Sequence, residues 1–181
     1  MISMLLSKAA TAIESDYDGE DILFSGCSID SRTIEKGNLF IAINGENFDG
    51  HDYVSMAEEK GAAALLLERE VSHDKPALKV KDTRKAIGLL ARSWREEITA
   101  PVVAITGSNG KTTVKEMVRS ILSELSDVHA TSGNLNNDIG VPLTLFEFDK
   151  KHQYAVIEMG SNHSGEIEWL STIDRPDVAG I

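Results

Sequence analysis

Cysteine occurs once in the 181 residues, at Cys27. An internal disulfide is thereby excluded, and a reducing compartment is implied. Nothing near Cys27 in the sequence would activate a thiol, so it reads as a small buried side chain rather than a nucleophile. Basic residues are in deficit as well: 18 Lys and Arg stand against 29 Asp and Glu, a net charge of −11. That balance argues against nonspecific nucleic-acid binding, which relies on clustered cations. A local site for a small anion remains compatible with it, because backbone N–H groups and one or two cations are enough to form one. No apolar run approaches the roughly 20 residues of a membrane span. Met1 to Ala12 also lacks the basic region and cleavage site of a secretory signal. The expected protein is therefore cytoplasmic, without a membrane span. The histidines at 51, 73, 129, 152 and 163 show no zinc-type spacing and read as surface or polar-core residues.

The 41% hydrophobic content supports a sizeable core and one or two domains. From Met1 to about Lys81 the signals are short. A strand is expected at Leu39 to Ile43, a helix at Val54 to Lys60, and strands at Ala62 to Leu67 and Leu78 to Val80. Asp82-Thr83 resembles a helix cap ahead of a helix over Arg84 to Ile98. These patterns predict a small α/β domain over residues 1–82 and a second domain over 83–181. In the second segment strands and helices alternate. Strands are expected at Val102 to Ile105, Val128 to Thr131, Tyr154 to Met159 and Val178 to Ile181, and helices at Val114 to Leu125, Gly140 to Leu145 and Glu166 to Ile173. Such alternation points to a mainly parallel, doubly wound sheet with ligands at the C-terminal ends of its strands. The chain stops inside an apparent strand, so it is expected to be a fragment whose sheet is truncated.

Pro101 to Thr113 carries the chemistry: an apolar strand, then Gly107, Ser108, Asn109, Gly110, Lys111, Thr112 and Thr113. A glycine turn places backbone N–H groups against phosphates, the lysine adds a point charge, and the Thr112 hydroxyl suits magnesium. The helix that follows would direct its N-terminus at the same anion. One element of the usual G-x-x-x-x-G-K-[ST] pattern is missing, because Ile105 stands where its first glycine would be. A plain glycine turn is the alternative, and the flanking strand and amphipathic helix favour phosphate binding. Tyr154 to Met159 ends in Glu158, at the same sheet edge as the loop, which makes Glu158 the natural magnesium ligand opposite Thr112. Thr131 to Pro142 follows its strand in the same way. Its amides could bind phosphate or the peptide end of a substrate, although Asn and Gly are also ordinary turn residues. Ser28 to Arg32, polar and cationic ahead of a strand, reads on its own as a solvated turn.

Three stretches resemble the Mur ligases, ATP-dependent amide ligases of bacterial cell-wall precursor synthesis. They are Gly-Ser-Asn-Gly-Lys-Thr-Thr (107–113), Gly-Asn-Leu-Asn-Asn-Asp-Ile-Gly-Val-Pro (133–142) and Glu-Met-Gly-Ser-Asn-His-Ser-Gly-Glu-Ile (158–167). Asp-Ser-Arg (30–32) and Leu-Phe-Ile-Ala-Ile-Asn-Gly-Glu-Asn-Phe-Asp-Gly-His-Asp-Tyr (39–53) are similar to that family's N-terminal nucleotide-sugar domain. Within the family the third stretch is most like the branch that joins D-alanyl-D-alanine to UDP-N-acetylmuramoyl-tripeptide. The resemblance implies a monomer that uses ATP and Mg2+, phosphorylates the tripeptide carboxylate, and lets the dipeptide amine displace phosphate from the acyl phosphate. It implies Lys111, Glu158 and His163 as catalytic residues, Thr112 and Glu158 as metal ligands, and residues 107–113 as the ATP loop. Ser28, Asp30, Ser31, Arg32, Asn44 and Gly45 would hold the uridine nucleotide, and Asn134 and Asn137 the reacting end. By the same resemblance, the adenine grip, further metal-site residues and the dipeptide-binding domain would lie beyond Ile181, so the fragment alone is expected to be inactive. Two alternatives remain. One is a different Mur-type ligase, such as the enzyme that adds the third residue or a folylpolyglutamate synthetase relative. The other is a noncatalytic phosphate-loop switch or transport ATPase, against which Ile105 and Glu158 both lean.

Overall fold

The computed structural model describes residues 1–45 and 48–181. Glu46 and Asn47, inside the 39–53 motif, lie outside the described residues. The chain divides into two compact units, Met1–Leu90 and Ala91–Ile181. The division falls inside the helix Thr83–Arg95 rather than at residue 82.

The first unit opens with β1 (Ser3–Leu5), α1 (Leu6–Ala12), β2 (Asp16–Asp18), β3 (Leu23–Ser25) and β4 (Cys27–Ser28). It continues with β5 (Leu39–Ile41), a 3-10 turn (Gly50–Tyr53), α2 (Val54–Glu59), β6 (Ala64–Leu67), β7 (Ala77–Lys79) and the start of α3 (Thr83–Arg95). Five strands form a mixed sheet in the order β2-β7-β6-β5-β4, and β1 pairs with β3 in a separate antiparallel ribbon. Strands β4 to β7 run parallel and β2 closes one edge antiparallel. Every residue of β6 is buried, as a continuous apolar run in a covered parallel strand should be. Phe40, Leu65, Leu67, Val54 and Ala57 meet in one core, so α2 buries its apolar stripe on β5 and β6. His51 is buried and links the 3-10 turn to the residue after β6. Its Nδ1 lies 2.6 Å from Asp49, and its Nε2 accepts the Glu68 N–H at 3.0 Å. Cys27 is half-buried on β4 rather than buried, and burial still pushes its thiol pKa upward.

α3 starts where the cap chemistry places it: the Asp82 carboxylate accepts the Lys85 N–H at 3.0 Å. The second unit then runs β8 (Val102–Ile105), α4 (Lys111–Ser123), β9 (Val128–Ala130), α5 (Gly140–Glu147), β10 (Tyr154–Glu158), α6 (Glu166–Asp174) and β11 (Val178–Gly180). Its four strands are all parallel, in the order β11-β8-β10-β9. Every connection between them is therefore a crossover, and the C-terminal ends of β8, β9 and β10 share one edge. Among the described residues no helix is long and apolar enough to cross a membrane.

α4 departs from its apolar pattern. The helix forms, but Val114, Met117, Ile121 and Leu125 on or just beyond it are 45%, 59%, 69% and 72% exposed, and Val118 and Leu122 only half-buried. Its buried side chain is a charged one, Lys115. Hydrophobic period fixes which positions share a face, while burial depends on which strand ends lie beneath it.

Candidate active site

β8 delivers the chain to a loop that only glycine fits easily. Gly107 and Gly110 have φ of +130° and +77°, and Gly110 immediately precedes α4. Lys111 is the first residue of α4, and its ammonium bonds back to the Gly107 carbonyl at 2.8 Å. The loop backbone and the helix N-terminus thus offer the N–H donors that an anion site requires, with a cation at their edge. The neighbouring strand supplies the opposite charge. Glu158, at the end of β10, is 2% exposed, and its Oε2 accepts the Thr112 hydroxyl at 2.9 Å. Its Oε1 accepts the Asn136 amide at 2.8 Å, and its N–H donates to the Thr131 hydroxyl at 2.9 Å. A hydroxyl and a carboxylate brought together beside the glycine loop form a hard-oxygen donor pair of the kind Mg2+ takes. Among the described residues no cluster of three His, Cys, Asp or Glu stands ready for a metal. The fit to magnesium therefore rests on this pair plus phosphate oxygens and water.

A cavity of about 260 Å3 opens beside Lys111, bounded by the Asn136–Asp138 and Gly160–Asn162 segments, Glu166, Trp169 and Leu170. The Glu166 carboxylate folds the latter segment over the start of α6: its Oε2 accepts the Asn162 and His163 N–H groups at 2.6 and 3.0 Å. Those two amides, and then the His163 ring, hold the Glu166 carboxyl below its usual range.

The expected residues separate by geometry. Lys111, Thr112 and Glu158 converge, and Asn137 lines the cavity while its Oδ1 also accepts the Gly140 N–H at 2.8 Å to start α5. Asn134 is not among the cavity's lining residues. The His163 side chain is 81% exposed, paired with Glu166 at 3.1 Å, and also outside the lining. Asn136, Thr131, Glu166 and Trp169 were not singled out from sequence. Asn136 lies inside the quoted motif, between the two asparagines expected there, Asn134 and Asn137.

The first unit holds its own cavity of about 490 Å3, between the Ile29–Arg32 turn and Phe40, Ile43, Phe48, Gly50, Tyr53 and Met56. Ser28 organises the turn, its hydroxyl accepting the Asp30 N–H at 3.1 Å. Arg32 forms a fork on Asp30, with Nε 3.0 Å from Oδ1 and the terminal nitrogen 2.7 Å from Oδ2. Those side-chain bonds, with the Arg32 backbone N–H, hold the Asp30 pKa down at about 2. Ser31 is buried, its hydroxyl 3.4 Å from the Met56 sulfur. Asn44 and Gly45 fall outside the lining: Asn44 bridges to Asp49, and the Gly45 N–H donates to the Phe48 carbonyl at 2.9 Å. A cation and hydroxyls at one end and aromatic rings at the other suit a nucleotide's charged and planar parts.

Comparison with known proteins agrees with both halves. A model of the Mur ligase family catalytic domain matches residues 23–95, and one of the Mur ligase middle domain matches residues 105–181. The UDP-N-acetylmuramoyl-tripeptide–D-alanyl-D-alanine ligase of Escherichia coli K12 is 48% identical over 99% of this chain and 40% of its own length. The Bacillus subtilis 168 enzyme of the same name is 41% identical over 90% of the chain and 36% of its own. A crystal structure of MurF from Acinetobacter baumannii superposes on the whole chain with a TM-score of 0.94 at 41% identity, covering 41% of that chain. MurF ligase from Thermotoga maritima in complex with ADP covers 84% of this chain and 36% of its own, with a TM-score of 0.78 at 33% identity. The chain thus spans about two fifths of the length of these relatives. With the catalytic-domain and middle-domain models matching in sequence order, and with the glycine loop, Thr112 and Glu158 assembled at one sheet edge, the chain belongs to the Mur ligase family.

Proposed function

We propose that this chain is the nucleotide-sugar and phosphate-loop portion of an ATP-dependent ligase that joins D-alanyl-D-alanine to UDP-N-acetylmuramoyl-tripeptide. The observation that carries the reading is the Thr112 hydroxyl bonded at 2.9 Å to the buried Glu158 carboxylate beside Lys111. The names of the relatives at 48% and 41% identity support the substrate assignment over the ligase that adds the third residue. In the reaction, a carboxylate oxygen bonds to the γ-phosphorus of ATP as ADP leaves. The dipeptide amine then bonds to the acyl carbon, and phosphate leaves with the carboxylate oxygen. Lys111 and the N–H groups of residues 107–113 stabilise charge on the transferred phosphoryl group. Thr112 and Glu158 would hold Mg2+, which when bound neutralises phosphate charge and orients the phosphates. Asn136 fixes the second Glu158 oxygen, so that the carboxylate faces Thr112 without reorganising. In the first unit, Arg32 and Asp30 would hold the nucleotide's polar groups, on the turn that Ser28 organises from outside the cavity lining, with Phe48 and Tyr53 against its base.

The test is ADP release by the intact protein with and without both substrates. Lys111→Ala should lower ligation on the order of 100- to 1,000-fold while leaving UDP-nucleotide binding unchanged. Near-normal ligation by a folded variant would sink the phosphate-loop reading. ATP turnover indifferent to the UDP-linked peptide would favour a noncatalytic switch.

A further inference from the structure

Behind Thr112 and Glu158 lies a buried cation that this reaction does not use. Lys115 sits one turn along α4 from Lys111, with its side chain 3% exposed. Its ammonium donates to the Thr131 carbonyl at 2.8 Å and pairs with Glu116 at 2.8 Å. Thr131 stands just past the end of β9, where Cα pairing with β10 stops at Ala130 and Val156. Its N–H still reaches the Val156 carbonyl at 3.1 Å. N–H groups along a strand face alternate sides. The Met159 N–H goes to Ile105 on β8, so the Glu158 N–H faces the β9 side, beyond the last paired residue of that strand. The Thr131 hydroxyl accepts it there at 2.9 Å, which extends the ladder by one side-chain bond. Lys115, Thr131 and Glu158 are each 2% exposed, so water does not compete within the series.

We propose that Lys115 is a positioning residue for the cation site. By fixing the Thr131 carbonyl, it holds the Thr131 hydroxyl against the Glu158 N–H and so sets the Glu158 carboxylate against Thr112 and Asn136. The inference rests on the reading of Thr112 and Glu158 as magnesium donors. An ammonium in a dry interior is held only while its acceptors stay in place, because an unpaired buried charge is costly. The Thr131 backbone is correspondingly less free to drift than neutral contacts would leave it. A carboxylate that orients a hard cation loses affinity when its own support loosens.

The experiment is a magnesium titration of the intact protein, followed both as ADP release at saturating substrates and as magnesium binding by calorimetry with ADP present, with Glu158→Gln as reference. Lys115→Met and Thr131→Val should each raise the half-saturating magnesium concentration about 10-fold. The KM for the UDP-linked substrate should stay within about twofold, and Thr131→Ser, which keeps the acceptor, should remain near wild type. The Lys115→Met/Thr131→Val double variant should be no worse than the poorer single one, because both act through one bond. Should Lys115→Met not fold, Thr131→Val against Thr131→Ser decides, since both retain the carbonyl that Lys115 uses. A magnesium titration moved by Glu158→Gln but not by the Lys115 or Thr131 variants, or effects that multiply in the double variant, would overturn the relay. If Glu158→Gln leaves the titration unmoved, Glu158 is not a cation donor, and the relay falls with that reading.

Discussion

Asp174, the last residue of α6, is fully buried, and neither of its carboxylate oxygens has a hydrogen-bond partner among the described residues. Arg95 lies close, but its Nε bonds the Asp174 backbone carbonyl at 3.1 Å and a terminal nitrogen goes to Asp177 at 3.3 Å. Burial therefore dominates: it raises the carboxyl pKa to about 7, with Arg95 opposing and Asp177 reinforcing. A folded-state pKa above the unfolded value of 3.8 means that between the two the folded protein holds a proton the unfolded chain has released. Stability then falls as pH rises through that window, and levels off above the folded value. At ~1.4 kcal/mol per tenfold change in proton affinity, the loss amounts to about 4 kcal/mol at most. Asp174→Asn removes the titration. The variant should gain on wild type steadily from about pH 4 to pH 7, and the gap should then stay constant. Urea unfolding of both proteins across that range is the assay, and the pH slope of the difference is the readout, so a fixed cost of the amide does not obscure it. A difference that stays flat with pH would refute the assignment of a protonated, unpartnered Asp174.

Two further outcomes test the framing of the sites. A Cβ at Gly140 would lie 2.4 Å from the Leu135 backbone, whereas one at Gly110 meets nothing within 4 Å. Gly140→Ala should therefore displace the Asn136 segment and cost about 1–3 kcal/mol in urea unfolding. Gly110→Ala should cost only the roughly 1–2 kcal/mol of its left-handed backbone, and equal stability of Gly140→Ala and wild type would count against the close packing. In the first unit, Arg32→Ala should weaken UDP binding to the intact protein about 10-fold by calorimetry. Unchanged affinity would remove the Ser28–Arg32 turn from the nucleotide site.

The fold was legible wherever period and punctuation agreed. β8, β10 and α6 lie within a residue or two of their expected bounds, because apolar runs bounded by Gly, Pro or Asp leave few alternatives. The first thirty residues resisted reading. β1 to β4 are two or three residues each, too short to express a period of two, and their partners lie elsewhere in the chain. β2 pairs with β7 some sixty residues away, and only tertiary context makes Asp16–Asp18, with its acidic ends, a strand.

The site divides in the same way. The convergence of Lys111, Thr112 and Glu158 could be read because glycine-loop chemistry and a carboxylate at a strand end each have a physical reason to occur where they do. The residues that hold them in place could not. Asn136 sits among asparagines whose ordinary use is to cap and turn, and only the arrival of β10 beside the loop turns its amide toward Glu158. Lys115 shares a helix with a conspicuous apolar stripe, so amphipathic reasoning sends it to solvent and the stripe inward. The helix lies the other way: its lysine is buried on the Thr131 carbonyl beneath it and pairs with Glu116, the next residue of the same helix, while Met117 and Ile121 stay exposed. In α4, then, the apolar positions report the helical period, and a buried charge reports the packing.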